Sequence, residues 1–435
     1  MHPRLETLRA FCRAWFSRGT LPPGDLVPID ELERGNRTVL LDRAAQHGPI
    51  WKGLMEKRVV VCVVDLALGR RLLKEHGPSL RPVSIQLEPL VPKGFMRQMD
   101  GECHRRYRKA LVSGIHAVDL SSLAPCTEET IASGLRTYAS AGAPDPLPHA
   151  WAEALSGIAS GMLVTLFFGV RPGSARHAEL LAAYRRLGPH GVVWHLTENQ
   201  TEAFLALRHQ LTEALQTNGD TLRGALMQRL AAEGPIDATM LGNLIYMVEL
   251  GRYDLRGLLR WISKYAAEQP EWLERIAGEA PDVATGARPL AEAFVHETLR
   301  MDQSERLMRE VLRTIKFQGY LIPKGSLVRV CLWEAHKSAE HFQRPFEFDP
   351  GRFLGDAAAS EHFSPFGLDH HHCPLASLSV KLAAQFVAVL ARDWTLRGTG
   401  GEKAVRGPYH WEPSPRFRVA LTPRPSLPVR DRGAS

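Results

Sequence analysis

The chain of 435 residues is 44% hydrophobic and 23% charged, which is typical of a globular protein with a large core. Its net charge of +7 comes from Arg residues that are spread along the chain without an aromatic-interleaved basic cluster, so a nucleic-acid partner is not expected. The six cysteines form no Cys-x-x-Cys pair, which argues against a disulfide framework or a zinc site and indicates reduced thiols.

The chain carries no sequence signal for export or membrane insertion. The N-terminal segment lacks the continuous apolar core of a signal peptide. We find no apolar stretch of about 18 residues, so no membrane-spanning helix is expected. The sequence therefore predicts a soluble cytoplasmic protein without a membrane partner.

Short strands and helices are predicted in the first region, to about residue 93. Strands are expected at Ile50–Met55 and at the apolar run Val59–Val64. Asp65 is the expected N-cap of a helix through Leu73. This region should therefore be rich in sheet.

Helical periodicity dominates residues 100–267. Loops are expected at 171–173, 188–191 and 234–235, where Gly and Pro interrupt the pattern. The longest helix is predicted from its N-cap Asp237 to about Ala267, because Pro270 follows.

Shorter elements are predicted in the last third of the chain. A helix is expected at Pro289–Met301, strands at Ile315–Phe317 and Ser326–Leu332, and a final helix at Leu375–Asp393. Strands and loops should follow Gly398. The whole pattern predicts a mainly α fold with small β-sheets and shows neither an internal repeat nor a clear inter-domain linker.

The first chemical motif is a carboxylate between two guanidinium groups. Glu297 and Arg300 are three residues apart and share a helix face. Arg352 is the expected second partner of Glu297, and such a buried trio can fix the register of distant segments. On the spacing alone, an ordinary surface pair between Glu297 and Arg300 is the simpler interpretation.

The second motif is the segment from Phe366 to Pro374, in which an aromatic residue and a glycine precede Cys373 and an apolar helix follows it. A loop that enters a helix N-terminus stabilises a thiolate as an iron ligand. The three histidines before Cys373 also raise the alternative of a zinc site, although adjacent residues on a short loop do not converge easily on one ion. A buried free thiol is the simplest alternative.

The third motif is the pair His104 and Arg108, which are four residues apart and share a helix face. Both side chains donate hydrogen bonds to carboxylates, so this face suits an acidic group. A solvated basic turn is the alternative for the pair alone.

Together, these three motifs, in this order, resemble the cytochrome P450 family. Two further segments, Gly48–Leu73 and Gly319–Gly325, are similar to the sheet segments of that family, so the resemblance runs from about residue 25 to about 425. It implies the P450 fold as one haem-thiolate domain over 1–435, with a sheet-rich part at about 25–93 and a helical haem-binding part at 100–425.

The resemblance also implies a role for each motif residue. The cofactor would be haem b, with Cys373 as its iron ligand and Phe366 packed near the sulfur. His104, Arg108, Arg309 and His371 stand where the family places partners of the haem propionates. Glu297, Arg300 and Arg352 would form the structural triad before the Cys loop.

The long helix departs from the family pattern at its oxygen-activation site. The family has a small residue, Gly, any residue, an acid and Thr, whereas this chain has Leu250, Gly251, Arg252, Tyr253 and Asp254. Gly251 permits the local helix opening that oxygen needs. In the family the Thr hydroxyl helps to deliver protons during oxygen activation, so Asp254 is the candidate replacement, with Tyr253 beside it.

The same helix carries the candidate substrate contacts. Arg252 could hold a substrate carboxylate, with Leu250 and Met247 beside it. Alternatively, Arg252 only pairs with Glu249, three residues before it.

Two further departures surround the expected ligand. Asp369 and Leu375 replace glycines of the family pattern. Since glycine tolerates positive φ better than other residues, the Cys loop is expected to adopt a less usual backbone, with Asp369 the more tolerable of the two.

The resemblance implies oxidation of a small molecule with oxygen and with electrons from a ferredoxin and its reductase. The Arg-rich and Ala-rich composition suggests a substrate of the secondary-metabolite kind. One alternative is an atypical haem-thiolate reaction, such as oxidative decarboxylation, coupling or peroxide-driven oxidation, on a carboxylate-bearing or peptide-derived substrate. Another is a haem-poor binding or recruitment module. The lid over the pocket is expected at about 175–218, where Tyr184, Trp194 and His195 suggest a partly aromatic pocket.

Overall fold

The structure, a computed structural model, describes most of the chain. The described residues are 8, 12, 19–55, 58–83, 87, 90–99, 101–141, 149–188, 196–217, 222–280, 287–303, 306–355, 360–369, 372–401, 403–407 and 411–425.

Helices make up most of this structure. They are α1 (Ile29–Gly35), α2 (Val39–His47), α3 (Leu66–His76), α4 (Gly101–His116), α5 (Leu120–Ser140), α6 (Ala150–Phe168), α7 (Ala175–Leu187), α8 (Glu198–Thr217), α9 (Leu226–Glu233), α10 (Ala238–Glu268), α11 (Pro270–Ala277), α12 (Pro289–Thr298), α13 (Leu332–Ala335) and α14 (Ala376–Asp393).

The strands are short. They are β1 (Ile50–Met55), β2 (Arg58–Val63), β3 (Leu80–Pro82), β4 (Arg306–Val311), β5 (Ile315–Phe317), β6 (Tyr320–Ile322), β7 (Leu327–Cys331), β8 (Trp394–Thr399), β9 (Val405–Arg406), β10 (Trp411–Glu412) and β11 (Arg418–Pro423). The expectation of a mainly α fold with small sheets is confirmed.

Two aspartates begin helices as the sequence predicts. The side chain of Asp65 accepts a hydrogen bond from the backbone N–H of Leu68 at 2.6 Å, and Asp237 accepts one from Met240 at 2.8 Å. Each cap satisfies a backbone donor that the first helical turn leaves open. Helix α3 runs three residues beyond the predicted Leu73, and α10 ends one residue beyond the predicted Ala267.

The main sheet joins both halves of the chain. Its strand order is β1-β2-β7-β4-β3, so strands from 50–82 lie beside strands from 306–331. β2 and β7 are parallel, whereas β4 is antiparallel to β7. This pairing places Arg309 of β4 opposite Val328 of β7, and Arg309 lines the cavity described below.

Helices α6, α10 and α14 pass through the main hydrophobic core. Helix α6 is buried along most of its length, with a mean hydropathy of 1.4 over an 18-residue window of which 72% is buried. The expectation that the chain has no apolar stretch of about 18 residues is therefore wrong. The helix is long and apolar enough to cross a membrane by composition, but its burial between α5, α7 and α10 is that of a core helix.

Candidate active site

A cavity of about 350 Å³ lies between α10, α4, β4, the loop before α14 and α14 itself. The structure brings ten of the predicted site residues to its wall, although they span most of the chain. They are His104, Arg108, Met247, Leu250, Gly251, Tyr253, Asp254, Arg309, Phe366 and Cys373. Most of the remaining wall is apolar, with leucines from α6, α10 and α14.

Cys373 closes the loop that precedes α14. Its backbone N–H donates to the carbonyl oxygen of Phe366 at 3.0 Å, which folds the loop back on itself. Asp369 has a φ of +65°, so it occupies the left-handed conformation for which the family uses glycine. Leu375 has a φ of −95° and needs no glycine, so of these two positions Asp369 alone has the predicted unusual backbone.

Burial, with a smaller contribution from the nearby Asp254 carboxylate, raises the pKa of the Cys373 thiol to about 11. The Leu375 N–H and the guanidinium groups of Arg108 and Arg97 act in the opposite direction. A metal cation placed against the sulfur would displace the proton, because metals bind the thiolate.

Basic side chains also line the wall. Arg108 Nη2 donates to the His372 carbonyl oxygen at 2.9 Å, one residue before Cys373, and burial lowers the pKa of Arg108. Burial, together with the positive charge of Arg97, lowers the pKa of Arg309 to about 10. Of the described residues, none accepts a hydrogen bond from the buried Nη2 of Arg309.

This arrangement fits haem. The unsatisfied Nη2 of Arg309, together with Arg108 and His104, suits the two propionate carboxylates. Apolar walls suit the porphyrin, and Cys373 offers the single sulfur ligand. Among the described residues no three His, Cys, Asp or Glu side chains meet as metal ligands, while His370 and His371 lie outside the described residues.

Sequence reasoning missed Arg97, Leu163 and Leu166, which also line the cavity. Arg97 is one of 54 basic residues, and no spacing singles it out. Leu163 and Leu166 lie on α6, whose nearly uniform apolar sequence does not show which face meets a cavity. Only the packing of α6 against α10 identifies them.

The Glu297, Arg300 and Arg352 side chains form one buried network. Arg300 donates from Nε and Nη2 to the two carboxylate oxygens of Glu297 at 2.7 and 2.8 Å. Arg352 Nε and the backbone N–H of Asp349 both donate to Oε1 of Glu297, at 3.1 and 2.9 Å. Arg300 Nη1 also donates to the carbonyl oxygens of His336 and Pro345. The network therefore holds the segment before the Cys loop against α12.

One face of α10 forms the wall above Cys373. Met247, Leu250, Gly251 and Asp254 are partly or fully exposed residues of this largely buried helix that also line the cavity, and they stand at positions i, i+3, i+4 and i+7. Because these positions share one helix face, their exposure is to the cavity. Asp254 is the one acidic side chain among the described residues of the cavity wall.

Arg252 points away from this face. Its Nε and Nη2 donate to Glu249 at 2.8 and 2.9 Å, and Nη2 also donates to the carbonyl oxygen of Gly188, the C-cap of α7. Arg252 is 6% exposed and is absent from the described cavity wall. The geometry is the simple Glu249–Arg252 pair, and it does not favour contact between Arg252 and a substrate carboxylate.

The predicted lid region contributes less to the described cavity than the sequence suggests. Tyr184 is fully buried in α7, and its hydroxyl donates to the carbonyl oxygen of Ile245 at 3.2 Å. It does not line the described cavity wall. Trp194 and His195 lie outside the described residues.

Comparisons with known proteins agree on one family. A family model described as "Cytochrome P450" matches residues 270–384, a range that contains the Glu297 network and Cys373. Abscisic acid 8'-hydroxylase 2 of Oryza sativa subsp. indica is 26% identical over 426 residues, which cover 88% of this chain and 83% of that protein. A protein of Mycobacterium tuberculosis (strain CDC 1551 / Oshkosh) described as cytochrome P450 137 is 24% identical, over 94% of this chain and 84% of its own.

A solved structure has the same fold. The retinoic acid bound cyanobacterial CYP120A1 matches with a TM-score of 0.72 and 20% identity, and the match covers 93% of this chain and 100% of that one. The likeness therefore extends over nearly the whole chain.

Proposed function

Because this chain belongs to the cytochrome P450 family and is a haem-containing monooxygenase, we propose that it oxidises a small molecule with electrons from a ferredoxin. The observation that carries the proposal is that one cavity joins a partly buried thiol, Cys373, to a group of basic side chains and an apolar wall.

In this proposal the chain holds the haem through Cys373 and through the basic side chains of the cavity wall. Cys373 would bind the iron, and Arg309, Arg108 and His104 would hold the propionates, with His371 as a further partner predicted from the sequence. When bound, the haem supplies the oxygen-activating chemistry. The chain's leucines exclude bulk water from the same space, and Phe366 packs at the sulfur side.

Asp254 is the proposed polar group of the oxygen-activation site. It stands where the family has its hydroxyl residue, and the structure turns it into the cavity. A carboxylate can hold a water molecule and pass a proton along it, which is the task that the missing hydroxyl would perform. Gly251 lies one turn away on the same face, and Tyr253 is at the edge of the wall with its hydroxyl donating to Gly188 O at 3.3 Å.

A basic surface on α4 supports the ferredoxin part of the proposal. Arg105, Arg106 and Lys109 are exposed on the helix whose Arg108 contacts the loop before Cys373. Bacterial-type ferredoxins are acidic, so complementary charge would steer such a partner to within reach of the haem. The reductase would then reduce the ferredoxin separately.

The proposal includes a soluble, cytoplasmic enzyme of secondary metabolism with one haem domain over 1–435. The atypical reactions on carboxylate-bearing substrates have less support, because the Arg252 guanidinium is bound by Glu249 and Gly188. The remaining alternative, a haem-poor recruitment module, would not need an unsatisfied guanidinium inside the cavity.

A CO-difference spectrum of the reduced protein tests the proposal. The wild type should give the absorption band of a thiolate-ligated haem, and Cys373→Ser should lose it. Cys126→Ser, which changes a partly buried cysteine on α5 outside the described cavity wall, is the matched control and should keep the band. A wild-type protein that binds no haem, or a Cys373→Ser protein that keeps the thiolate band, would contradict the proposal.

A further inference from the structure

Arg97 is a cation of the cavity wall to which the proposed function gives no role. It lies in the segment between β3 and α4 and lines the cavity. Its side chain is exposed, whereas Arg309 of the same wall is only 3% exposed. Of the described residues, none accepts a hydrogen bond from Arg97 or forms an ion pair with it. This guanidinium group can therefore bind an anion that enters the cavity.

The backbone that leads to Arg97 is held by α10. The N–H of Met96 donates to Oδ1 of Asn243 at 2.6 Å, and Nδ2 of Asn243 donates to the carbonyl oxygen of Gly94 at 3.2 Å. Asn243 is fully buried, so both contacts are shielded from water. Because the segment is ordered before any ligand arrives, Arg97 loses less conformational freedom when it binds one.

The guanidinium group of Arg309 also needs an acceptor. Its Nη2 is buried, and none of the described residues accepts a hydrogen bond from it. The positive charge of Arg97 contributes to the lowered pKa of Arg309, so the two groups lie within electrostatic reach of each other. Since like charges repel, an anion that binds beside both groups stabilises them together. The pair therefore favours an anionic ligand over a neutral one.

The acidic groups near the cavity do not meet this need. Asp254 is the one acidic side chain among the described residues of the wall, and it has an interaction of its own within the protein. Asp369 of the Cys loop acts electrostatically on Arg108 and Arg309. Neither carboxylate forms an ion pair with Arg97. The wall thus carries three guanidinium groups, those of Arg97, Arg108 and Arg309, which is one more than the two haem propionates require.

We propose that Arg97 binds a carboxylate in the cavity, beside Arg309. This inference rests on the proposed haem-dependent function. Two sources can supply the carboxylate, namely a haem propionate and an acidic group of the substrate. Both present two oxygen atoms to the planar guanidinium fork, so the chemistry of recognition is the same.

The first measurement tests the propionate as the source. The rate of haem transfer to apomyoglobin is compared for wild type, Arg97→Gln and Arg97→Lys. If Arg97 binds a propionate, Arg97→Gln should lose haem about threefold faster or more, a modest effect because an exposed ion pair contributes less than a buried one. Arg97→Lys keeps the charge and should stay near the wild-type rate.

The matched control for this measurement is Lys93→Gln, which removes an exposed cation from the same segment. Lys93 lies 5.5 Å from the ring centroid of Tyr107 and outside the described cavity wall. We therefore expect Lys93→Gln to lose haem at the wild-type rate.

The second measurement tests the substrate as the source. Equilibrium dialysis of the haem-loaded proteins gives dissociation constants for phenylacetate and for its neutral analogue phenylacetamide. If Arg97 binds a substrate carboxylate, wild type should bind phenylacetate about threefold or more tightly than the amide. Arg97→Gln should remove this preference while it loses haem at the wild-type rate. Arg97→Lys and Lys93→Gln should both retain the preference.

An unchanged rate of haem loss together with an unchanged ratio of the two dissociation constants in Arg97→Gln would overturn the proposal. An equal effect of Lys93→Gln would overturn it as well, because the effect would then belong to any cation of the segment. Should Arg97→Gln fail to load haem, Arg97→Lys decides: haem loading by Arg97→Lys supports a propionate contact, and failure of both variants overturns the proposal.

The CO spectrum of wild type separates this inference from the proposed function. A normal spectrum combined with unchanged values in Arg97→Gln overturns this inference alone. A wild type without the thiolate-type spectrum overturns the proposed function and this inference with it.

Discussion

Glu297 and Arg352 meet inside the protein, with Arg352 Nε 3.1 Å from Oε1 of Glu297, although 55 residues separate them. Glu297 is fully buried and also accepts two hydrogen bonds from Arg300. Because Arg300 reaches the carbonyl oxygens of His336, Pro345 and Glu347 as well, this carboxylate links α12 to the segment that leads to Cys373.

Glu297→Ala should destabilise the protein by about 3–5 kcal/mol, because it leaves a buried guanidinium without its anion. The measurement is the free energy of unfolding by urea, together with the haem content. Glu274→Ala is the control, since Glu274 is 63% exposed and its pair with Arg424 should contribute less than about 1 kcal/mol. Equal losses of unfolding free energy in the two variants would show that the Glu297 network stabilises the fold no more than an exposed ion pair does.

Arg309→Leu should weaken haem binding about tenfold or more, because it removes a buried guanidinium whose Nη2 has no acceptor among the described residues. The measurement is the rate of haem transfer from the holoprotein to apomyoglobin. Arg313→Leu, two residues beyond β4, changes the same residue type away from the described cavity wall and should lose haem at the wild-type rate. An unchanged rate of haem loss in Arg309→Leu would show that Arg309 does not bind a propionate.

Asp254→Ala should cut product formation about tenfold or more and should release more of the reducing equivalents as hydrogen peroxide, because the proposed proton path is interrupted. The test uses a substrate found by screening for a haem spin-state change. Asp254→Thr, which restores the residue of the family pattern, should recover coupling. If Asp254→Ala keeps wild-type turnover and coupling, proton delivery runs through water or the substrate.

Arg252→Gln should destabilise the protein by about 3–5 kcal/mol, because it leaves Glu249 buried without its cation. Burial already raises the pKa of Glu249. A carboxyl whose pKa is higher in the folded state binds more protons there, so the variant should lose stability as the pH rises. The double variant Arg252→Gln with Glu249→Gln should recover part of the lost stability. If replacing Glu249 recovers none of it, the loss does not come from the Glu249–Arg252 pair.

His296 should make the fold sensitive to acid. Burial lowers its pKa to about 4, and its ring packs between Phe353 and Phe363. Between pH 6.5 and 4 the unfolded chain binds a proton at this site that the folded state does not, so stability should fall as the pH falls, by about 3 kcal/mol in total from this residue. His296→Leu should flatten that part of the stability profile, whereas an unchanged slope would assign the acid sensitivity to other groups.

The sequence could predict those parts of the site that depend on local spacing. His104 and Arg108 share a helix face, Glu297 and Arg300 share another, and Asp65 and Asp237 cap helices, because these relations are set within one or two turns. The Cys loop could also be predicted, because the aromatic residue, the glycine and Cys373 that define it lie close together in sequence. An apolar helix follows them directly. Asp369, which replaces a glycine of the family pattern, still adopts a positive φ of +65°, the conformation for which the family uses glycine.

Only the tertiary structure decided which way the helix faces point. Arg252 and Asp254 are two residues apart on α10, so they lie on different sides of the helix, and the sequence alone does not say which side meets the cavity. That choice depends on α6 and on the end of α7, whose Gly188 carbonyl oxygen binds Arg252. The contribution of Leu163 and Arg97 to the wall was hidden for the same reason, because contacts between distant segments depend on how whole helices and sheets pack against one another.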